Sequence, residues 1–264
     1  MKITVKTLRA MKEKGEKITA LTAYEALFAG LLDESGIDVI LVGDSAGMVF
    51  AGHDTTIPVT MDEMVYHTRS VRRAVKSALL VADMPFMSYQ VSVEDALRSA
   101  GRLLKEGGAE AVKMEGGARI LDQVKVCVAA GIPVMGHLGM TPQSVNQFGG
   151  FATQGKKKDE AETLLGDALA LEAAGAFSLV LEKIPAPLAA AISERLAIPA
   201  IGIGAGASTD GQILVTQDML GLYEKFKPKF VRRYAELAAE VKHAVSAYAD
   251  DVRHERFPDE TESF

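Results

Sequence analysis

The stretch 37–47, IDVILVGDSAG, decides the fold. Val39 to Val42 form an apolar run without polar alternation, so both faces of this segment must be covered. Strands of that kind belong to parallel sheets with helices on either side. The run then ends in Gly43, Asp44 and Ser45, and a carboxylate closing a covered strand needs an explanation. The same form returns downstream. Asp83 follows the apolar run of ALLVADMPF (78–86), and Glu115 sits near the end of AVKMEGG (111–117). Three strands that end in acids point to one site.

Eight segments read as strands: KITALTAY (17–24), DVILVGDS (38–45), ALLVADMPF, AVKMEGG, IPVMGHLG (132–139), FSLVLEKI (177–184), IPAIGIGAG (198–206) and GQILVTQD (211–218). Helical patterns fill the intervals. SVEDALRSAGRLLKEGG (92–108) opens on Ser92, carries acids in its first turn and stops at glycines. EAETLLGDALALEAAG (160–175) follows the same grammar, and PKFVRRYAELAAEVKHAVSAYADDVRHERF (228–257) predicts a long amphipathic helix with one break at most. Strands alternating with helices predict an α/β fold, a (β/α)8 TIM-type barrel of parallel strands with its active site at their C-terminal ends. The expected organisation is a single catalytic domain over 1–264 with a C-terminal helical segment. An open doubly wound sheet is the alternative. Gly202, Gly204 and Gly206 in GIGAG do not favour it, because their G-x-G-x-G spacing is not the dinucleotide fingerprint and suits a tight strand-to-loop turn.

Hydrophobic residues make up 48% of the 264, enough for a large core. A net charge of −6 leaves no basic field for nucleic acid or an anionic membrane, so small-molecule partners are expected. Cys127 is the one cysteine; its place in the helical pattern ILDQVKVCVAAG reads as a buried structural thiol. Lysines interrupt the N-terminal apolar residues, and no apolar span is long enough for a bilayer. A cytoplasmic protein is expected.

In a barrel, side chains at the strand C-termini converge on one mouth. Asp44, Asp83, Glu115, His137 and Glu182 occupy such positions. Any one acid alone reads as a helix cap or a solvated strand end. Gathered together they repel one another, and a hard divalent cation such as Mg²⁺ removes that penalty. Lys113 lies two residues before Glu115, on the same strand face; it suits an internal salt bridge or capture of a substrate anion. Ser45 offers a second donor to the same anion. Glu182, with apolar flanks, suits proton transfer or a pair with Lys183, and His137 suits either a structural or an orienting role. FGGFATQGKKKDEAE (148–162) reads as a solvated loop, or as a lid whose Lys156, Lys157 and Lys158 meet an acidic cofactor tail.

These residues also carry a resemblance. TAYE, LVGDSAGM, GHDTTIPVT, HTRSVRR, VADMPFMSY, VKMEGG, GHLGMTPQSVNQFGGF, LEAAGAFSLVLE, IPAIGIGAGASTDGQILV and PKFVRRY follow one another along nearly the whole chain. In these motifs the chain closely resembles the ketopantoate hydroxymethyltransferase family. The resemblance implies a barrel related to the phosphoenolpyruvate mutase and isocitrate lyase enzymes. It implies transfer of a one-carbon unit from 5,10-methylenetetrahydrofolate to 3-methyl-2-oxobutanoate, giving 2-dehydropantoate in pantothenate biosynthesis. It assigns Asp44, Asp83 and Glu115 to Mg²⁺, Asp44, Ser45, Asp83 and Lys113 to the keto acid, and Glu182 to the role of catalytic base. It further implies a homo-oligomer, a decamer by the family's habit. Glu25, where the family pattern has Asp after TAY, and Ala46, in place of a bulkier apolar residue, depart from it. Competing readings are a related Mg²⁺-dependent C–C lyase or mutase and a non-catalytic keto-acid-binding barrel. The isocitrate lyase group carries its catalytic cysteine in a loop, unlike Cys127 here.

Overall fold

The computed structural model describes residues 2–264, in two compact units, 2–215 and Thr216–Phe264. In the first, eight strands form a closed barrel: β1 Ile18–Thr22, β2 Val39–Val42, β3 Leu79–Asp83, β4 Ala111–Glu115, β5 Val134–Gly139, β6 Ser178–Glu182, β7 Ala200–Ile203 and β8 Gly211–Leu214. Every strand is parallel to its neighbour, and β8 returns to pair with β1. The expected (β/α)8 barrel is the observed one.

Alternation along the strands separates two apolar layers. Ile18 and Ala20, Val39 and Leu41, Leu79 and Val81, with Ala111, Met135, Val180, Ile201 and Ile213, form the interior cluster. The intervening residues, among them Ile40, Leu80, Val112 and Leu179, are buried on the outer face towards the helices. Burial on both faces is the physical reason for the unbroken Val/Ile/Leu runs.

The end of the barrel opposite the strand C-termini is closed by the N-terminal helix Val5–Lys14. Thr4 and Thr7 form its capping box, and Gly15 ends it in the left-handed region (φ 72°). Leu8, fully buried, joins the interior cluster, with Ile3, Val5 and Met11 packed against it. Lys12 Nζ ties the helix down, donating to Asp210 Oδ2 (2.7 Å), Ser193 O (2.8 Å) and Ile198 O (3.0 Å). At the same end, buried Asp33 accepts the backbone N–H groups of Lys76, Ser77 and Ala78 just before β3.

Several expected elements change in extent; the strand over 211–218, for one, ends at Leu214, and the short helix Thr216–Met219 follows it. The helix over 92–108 is α-helical only through Val93–Arg102, widens to a π-helical turn at Leu103–Gly107, and stops at Gly108 (φ 79°). The strand over 198–206 ends at Ile203, where Gly204 and Gly206 take positive φ and turn the chain. The helix expected from Pro228 begins only at Leu237 and ends at Arg253. The N–H groups of Tyr234, Leu237 and Ala238 bond instead to the carbonyls of Met219, Leu220 and Gly221, which follow the short helix Thr216–Met219 into its turn. With those donors committed elsewhere, the ladder cannot extend back to Pro228. Among the described residues no helix is long and apolar enough to cross a membrane.

Candidate active site

The inward-facing rows carry the site upward from the core. On β3 the row Leu79, Val81 continues to Asp83; on β4 Ala111 continues to Lys113 and Glu115. On β5 Met135 leads to His137, and on β6 Val180 leads to Glu182. Register sets Asp83 beside Lys113 and Glu115 beside His137. On β2 the row reaches Gly43, past the strand end. A Cβ there would stand 2.6 Å from Ser45 Oγ and 3.5 Å from Asp83 Oδ2, so glycine leaves that space open.

Lys113 is central. Its Nζ lies 2.8 Å from Asp83 Oδ1, 3.7 Å from Glu115 Oε1 and 3.1 Å from His137 Nδ1. His137 Nδ1 is 3.4 Å from Glu115 Oε1, and its Nε2 is 3.4 Å from Glu182 Oε2. The Asp44 N–H donates to Asp83 Oδ2 at 3.0 Å. Asp44, Asp83, Lys113, Glu115 and His137 are all buried, whereas the Glu182 side chain keeps 15% of its surface exposed. Ser45 stands at the edge, its Oγ 2.8 Å from the Tyr24 hydroxyl. Glu182 meets the cluster through His137.

Burial acts on every group, and neighbours decide the outcome. Desolvation, then repulsion from Asp83 and Glu115, pushes the Asp44 carboxyl well above the ordinary range. Desolvation also raises Asp83, although Lys113 opposes it. Burial pushes Glu115 the same way, but His137, Lys113 and the Gln143 N–H outweigh it and hold Glu115 below the usual range. Burial disfavours the Lys113 ammonium, yet Asp83, Glu115 and Asp44 keep its pKa above the ordinary lysine value. Burial and Lys113 both oppose charge on His137; contacts with Glu115 and Glu182 reverse that and raise it.

The donor set suits a hard cation. Asp83 Oδ1 and Glu115 Oε1 are buried and accept no well-aligned hydrogen bond among the described residues, despite the nearby Lys113 ammonium. Among those residues no three His, Cys, Asp or Glu side chains already converge as a metal-holding group. Mg²⁺ commonly takes one or two carboxylates and completes its shell with water and substrate oxygens. The buried carboxylate oxygens of Asp44, Asp83 and Glu115 are hard donors that fit that demand.

Two further polar residues complete the network. Gln143 is 5% exposed and sits just beyond β5, in the single turn Pro142–Ser144. Its backbone N–H donates to Glu115 Oε2 and its Nε2 to Asp44 Oδ2, both at 2.9 Å. Tyr89, fully buried in the segment after β3, reaches Gln143 Oε1 at 2.8 Å. Strand-end reasoning misses both because neither is on a strand. The one hint is TPQS, a proline-opened turn placed directly after the β5 mouth residues.

Cys127 lies within the helix Leu121–Ala129, buried, and desolvation pushes its thiol up to about 11. It takes no part in the mouth.

In fold, this closed parallel barrel is similar to solved barrels that include a phosphoenolpyruvate mutase/isocitrate lyase superfamily member. Phosphonopyruvate hydrolase, solved with oxalate and Mg²⁺, superposes with a TM-score of 0.63 at 16% identity, over 98% of this chain and 93% of its own. The superfamily member 2,3-dimethylmalate lyase gives 0.59 at 16% identity, over 100% and 93%. The chain belongs to the ketopantoate hydroxymethyltransferase family, whose model matches residues 2–260. It is 57% identical to the 3-methyl-2-oxobutanoate hydroxymethyltransferase of Syntrophus aciditrophicus, over 100% of this chain and 97% of that one. Identity to the protein of the same name from Moorella thermoacetica is 55%, over 100% and 98%.

Proposed function

We propose that this chain is a one-carbon transferase that adds a hydroxymethyl group to C3 of 3-methyl-2-oxobutanoate. The donor is 5,10-methylenetetrahydrofolate and the product 2-dehydropantoate, a step of pantothenate biosynthesis. Full-length family membership supports the reaction; one structural contrast supports the division of labour. Glu182 is the acid of the cluster with partial exposure, at 15% of its side chain, while Asp83 and Glu115 keep 3% and 2%. An acid that takes a proton from an incoming carbon needs that access. Acids that hold charge do not.

In this reading Asp44 and Asp83 hold Mg²⁺, with Glu115 completing the site directly or through water. Bound there, Mg²⁺ supplies Lewis-acid stabilisation of negative charge on the keto acid. Lys113, kept protonated by its carboxylate neighbours, holds the substrate's anionic oxygens, and Ser45 adds a hydrogen bond. Glu182 accepts the C3 proton, and the C3–H electron pair becomes the enolate. One C–N bond of the folate's methylene bridge opens to an iminium, and C3 bonds to that carbon as the C=N electron pair returns to nitrogen. Water replaces the remaining C–N bond and supplies the hydroxyl oxygen, and the two folate nitrogens take up the proton held by Glu182 and the one lost by water, releasing tetrahydrofolate. His137, touching both Lys113 and Glu182, orients the base. Assembly of identical chains, a decamer by the family's habit, belongs to the same reading. The exposed stripe Val241, Val245, Tyr248 and Val252 on the helix Leu237–Arg253 supports a face for it.

Proton exchange separates from carbon transfer. In D₂O with Mg²⁺ and no folate, the chain should remove the C3 proton signal of 3-methyl-2-oxobutanoate in NMR spectra. With methylenetetrahydrofolate it should form 2-dehydropantoate. Failure of both overturns the proposal; exchange without transfer in the complete mixture leaves a keto-acid enolising protein and overturns the transferase reading.

A further inference from the structure

Gln143 touches the ends of four successive strands. Its Nε2 donates to Asp44 Oδ2 beyond β2 and to Met84 O beyond β3, each at 2.9 Å. Its backbone N–H donates to Glu115 Oε2 on β4, and its own position is just after β5. On the other side Oε1 accepts from Tyr89 Oη (2.8 Å) and Gln90 Nε2 (3.1 Å). Both amide hydrogens and both carbonyl lone pairs are therefore engaged.

This pattern fixes which way the amide points. A flip would set Oε1 against a carboxylate oxygen and a backbone carbonyl, and would turn the NH₂ towards the Tyr89 and Gln90 donors. Tyr89 is held in turn: its Oη accepts the Glu115 N–H and directs its hydrogen towards Gln143 Oε1 and Glu115 O, both Glu115 contacts being 3.0 Å. Burial and the nearby carboxylates push the phenol well above its ordinary pKa, so it keeps that hydrogen.

The consequence lies in the oxygens left over. Gln143 occupies Asp44 Oδ2 and Glu115 Oε2, and the Asp44 N–H occupies Asp83 Oδ2. The second oxygens of Glu115 and Asp83 accept no well-aligned hydrogen bond and lie 3.7 and 2.8 Å from the Lys113 ammonium. We propose that Gln143, locked in one amide orientation by Tyr89, is the positioning residue of the mouth: by tying down one oxygen each of Asp44 and Glu115 it fixes the orientation in which both carboxylates meet the cation. This inference rests on the Mg²⁺-dependent reading above.

The test compares native chain, Gln143→Met, Tyr89→Phe and the double variant. Each is titrated with Mg²⁺ by calorimetry in the presence of 3-methyl-2-oxobutanoate, without folate and without turnover, and each is followed in thermal unfolding. Gln143→Met keeps the volume and the backbone N–H but removes the amide. It should weaken Mg²⁺ binding about 10- to 100-fold, the usual effect of losing a partner that orients a ligand. Tyr89→Phe frees the amide to turn and should weaken binding about tenfold. The double variant should bind Mg²⁺ no more weakly than Gln143→Met alone, because Tyr89 acts through the amide. In turnover the variants should raise KM for the keto acid more than they lower kcat. Native Mg²⁺ affinity in Gln143→Met, or losses that simply add in the double variant, overturns the proposal. Should Gln143→Met not fold, native affinity in a folded Tyr89→Phe chain overturns it equally. A native chain that neither binds Mg²⁺ nor exchanges the C3 hydrogen instead refutes the functional reading, and this inference with it.

Discussion

Two buried carboxylates, Asp33 and Asp83, stand at opposite ends of the barrel and live under opposite rules. Asp33, 9% exposed, has both oxygens filled by backbone N–H groups of Lys76, Ser77 and Ala78 at 2.7 to 3.1 Å. Although burial works against it, those N–H groups hold its carboxyl below the ordinary value, with a smaller contribution from Lys2. Asp83, 2% exposed, keeps one oxygen without a well-aligned hydrogen bond, and burial raises its carboxyl. Backbone N–H groups hold Asp33, whereas Asp83 depends on the Lys113 ammonium, 2.8 Å from its Oδ1, and on the Asp44 N–H. The same division separates Leu8, sunk in the closed end, from Glu182, partly open at the mouth.

Substituting each end measures the division. The largest effect belongs to the mouth. Glu182→Gln should slow C3 hydrogen exchange by about 10²- to 10⁴-fold while the keto acid still binds and thermal unfolding stays near native. Exchange at the native rate would remove Glu182 as the base and erase the contrast on which its role rests. At the closed end Leu8→Ala should leave the mouth chemistry intact and lower stability by about 2–5 kcal/mol in denaturant unfolding. A loss below about 1 kcal/mol would mean that the helix does not serve as a plug. Asp33→Asn should have the smallest effect, about 1–3 kcal/mol, by weakening the acceptor for three N–H groups. Because the folded pKa of Asp33 is depressed, its charge-dependent stabilisation is complete above the unfolded value near 3.9. It is lost as pH falls through the folded value. The stability gap between native and variant should therefore be constant at neutral pH and close in acid; a gap that widens in acid would contradict the geometry.

The barrel was legible because double burial writes itself into unbroken apolar runs such as VILV at β2 and LLVA in β3. The mouth acids Asp44, Asp83, Glu115 and Glu182 were legible for a related reason, since each closes such a run, and Lys113 by its place two residues before Glu115. What lay outside that logic stayed hidden. Tyr89 and Gln143 are 54 positions apart, in loops, and nothing local states that they meet. The late start of the helix at Leu237 was equally invisible. It depends on carbonyls of residues 219–221 drawing off the N–H groups of 234, 237 and 238, a contest between two hydrogen-bond partners that periodicity cannot report. Gly204 and Gly206 show the opposite case, since a turn needing positive φ names its own residue type.

Lys113 has a consequence for how the chain reaches this structure. Its partners come from β3, from its own strand and from β5. A half-built barrel that buried β4 before β3 and β5 had docked would strand an ammonium in apolar surroundings, at a cost of several kcal/mol. The pairing Asp83 with Lys113 also fixes strand alignment. Slipping β4 by one residue turns Lys113 towards the helices and leaves Asp83 facing the apolar side chain of Val112 or Met114. An apolar interior tolerates such slips, since valine and leucine are nearly interchangeable there. The charge cluster does not, because a slip of β3, β4 or β5 would part Lys113 from Asp83 or His137.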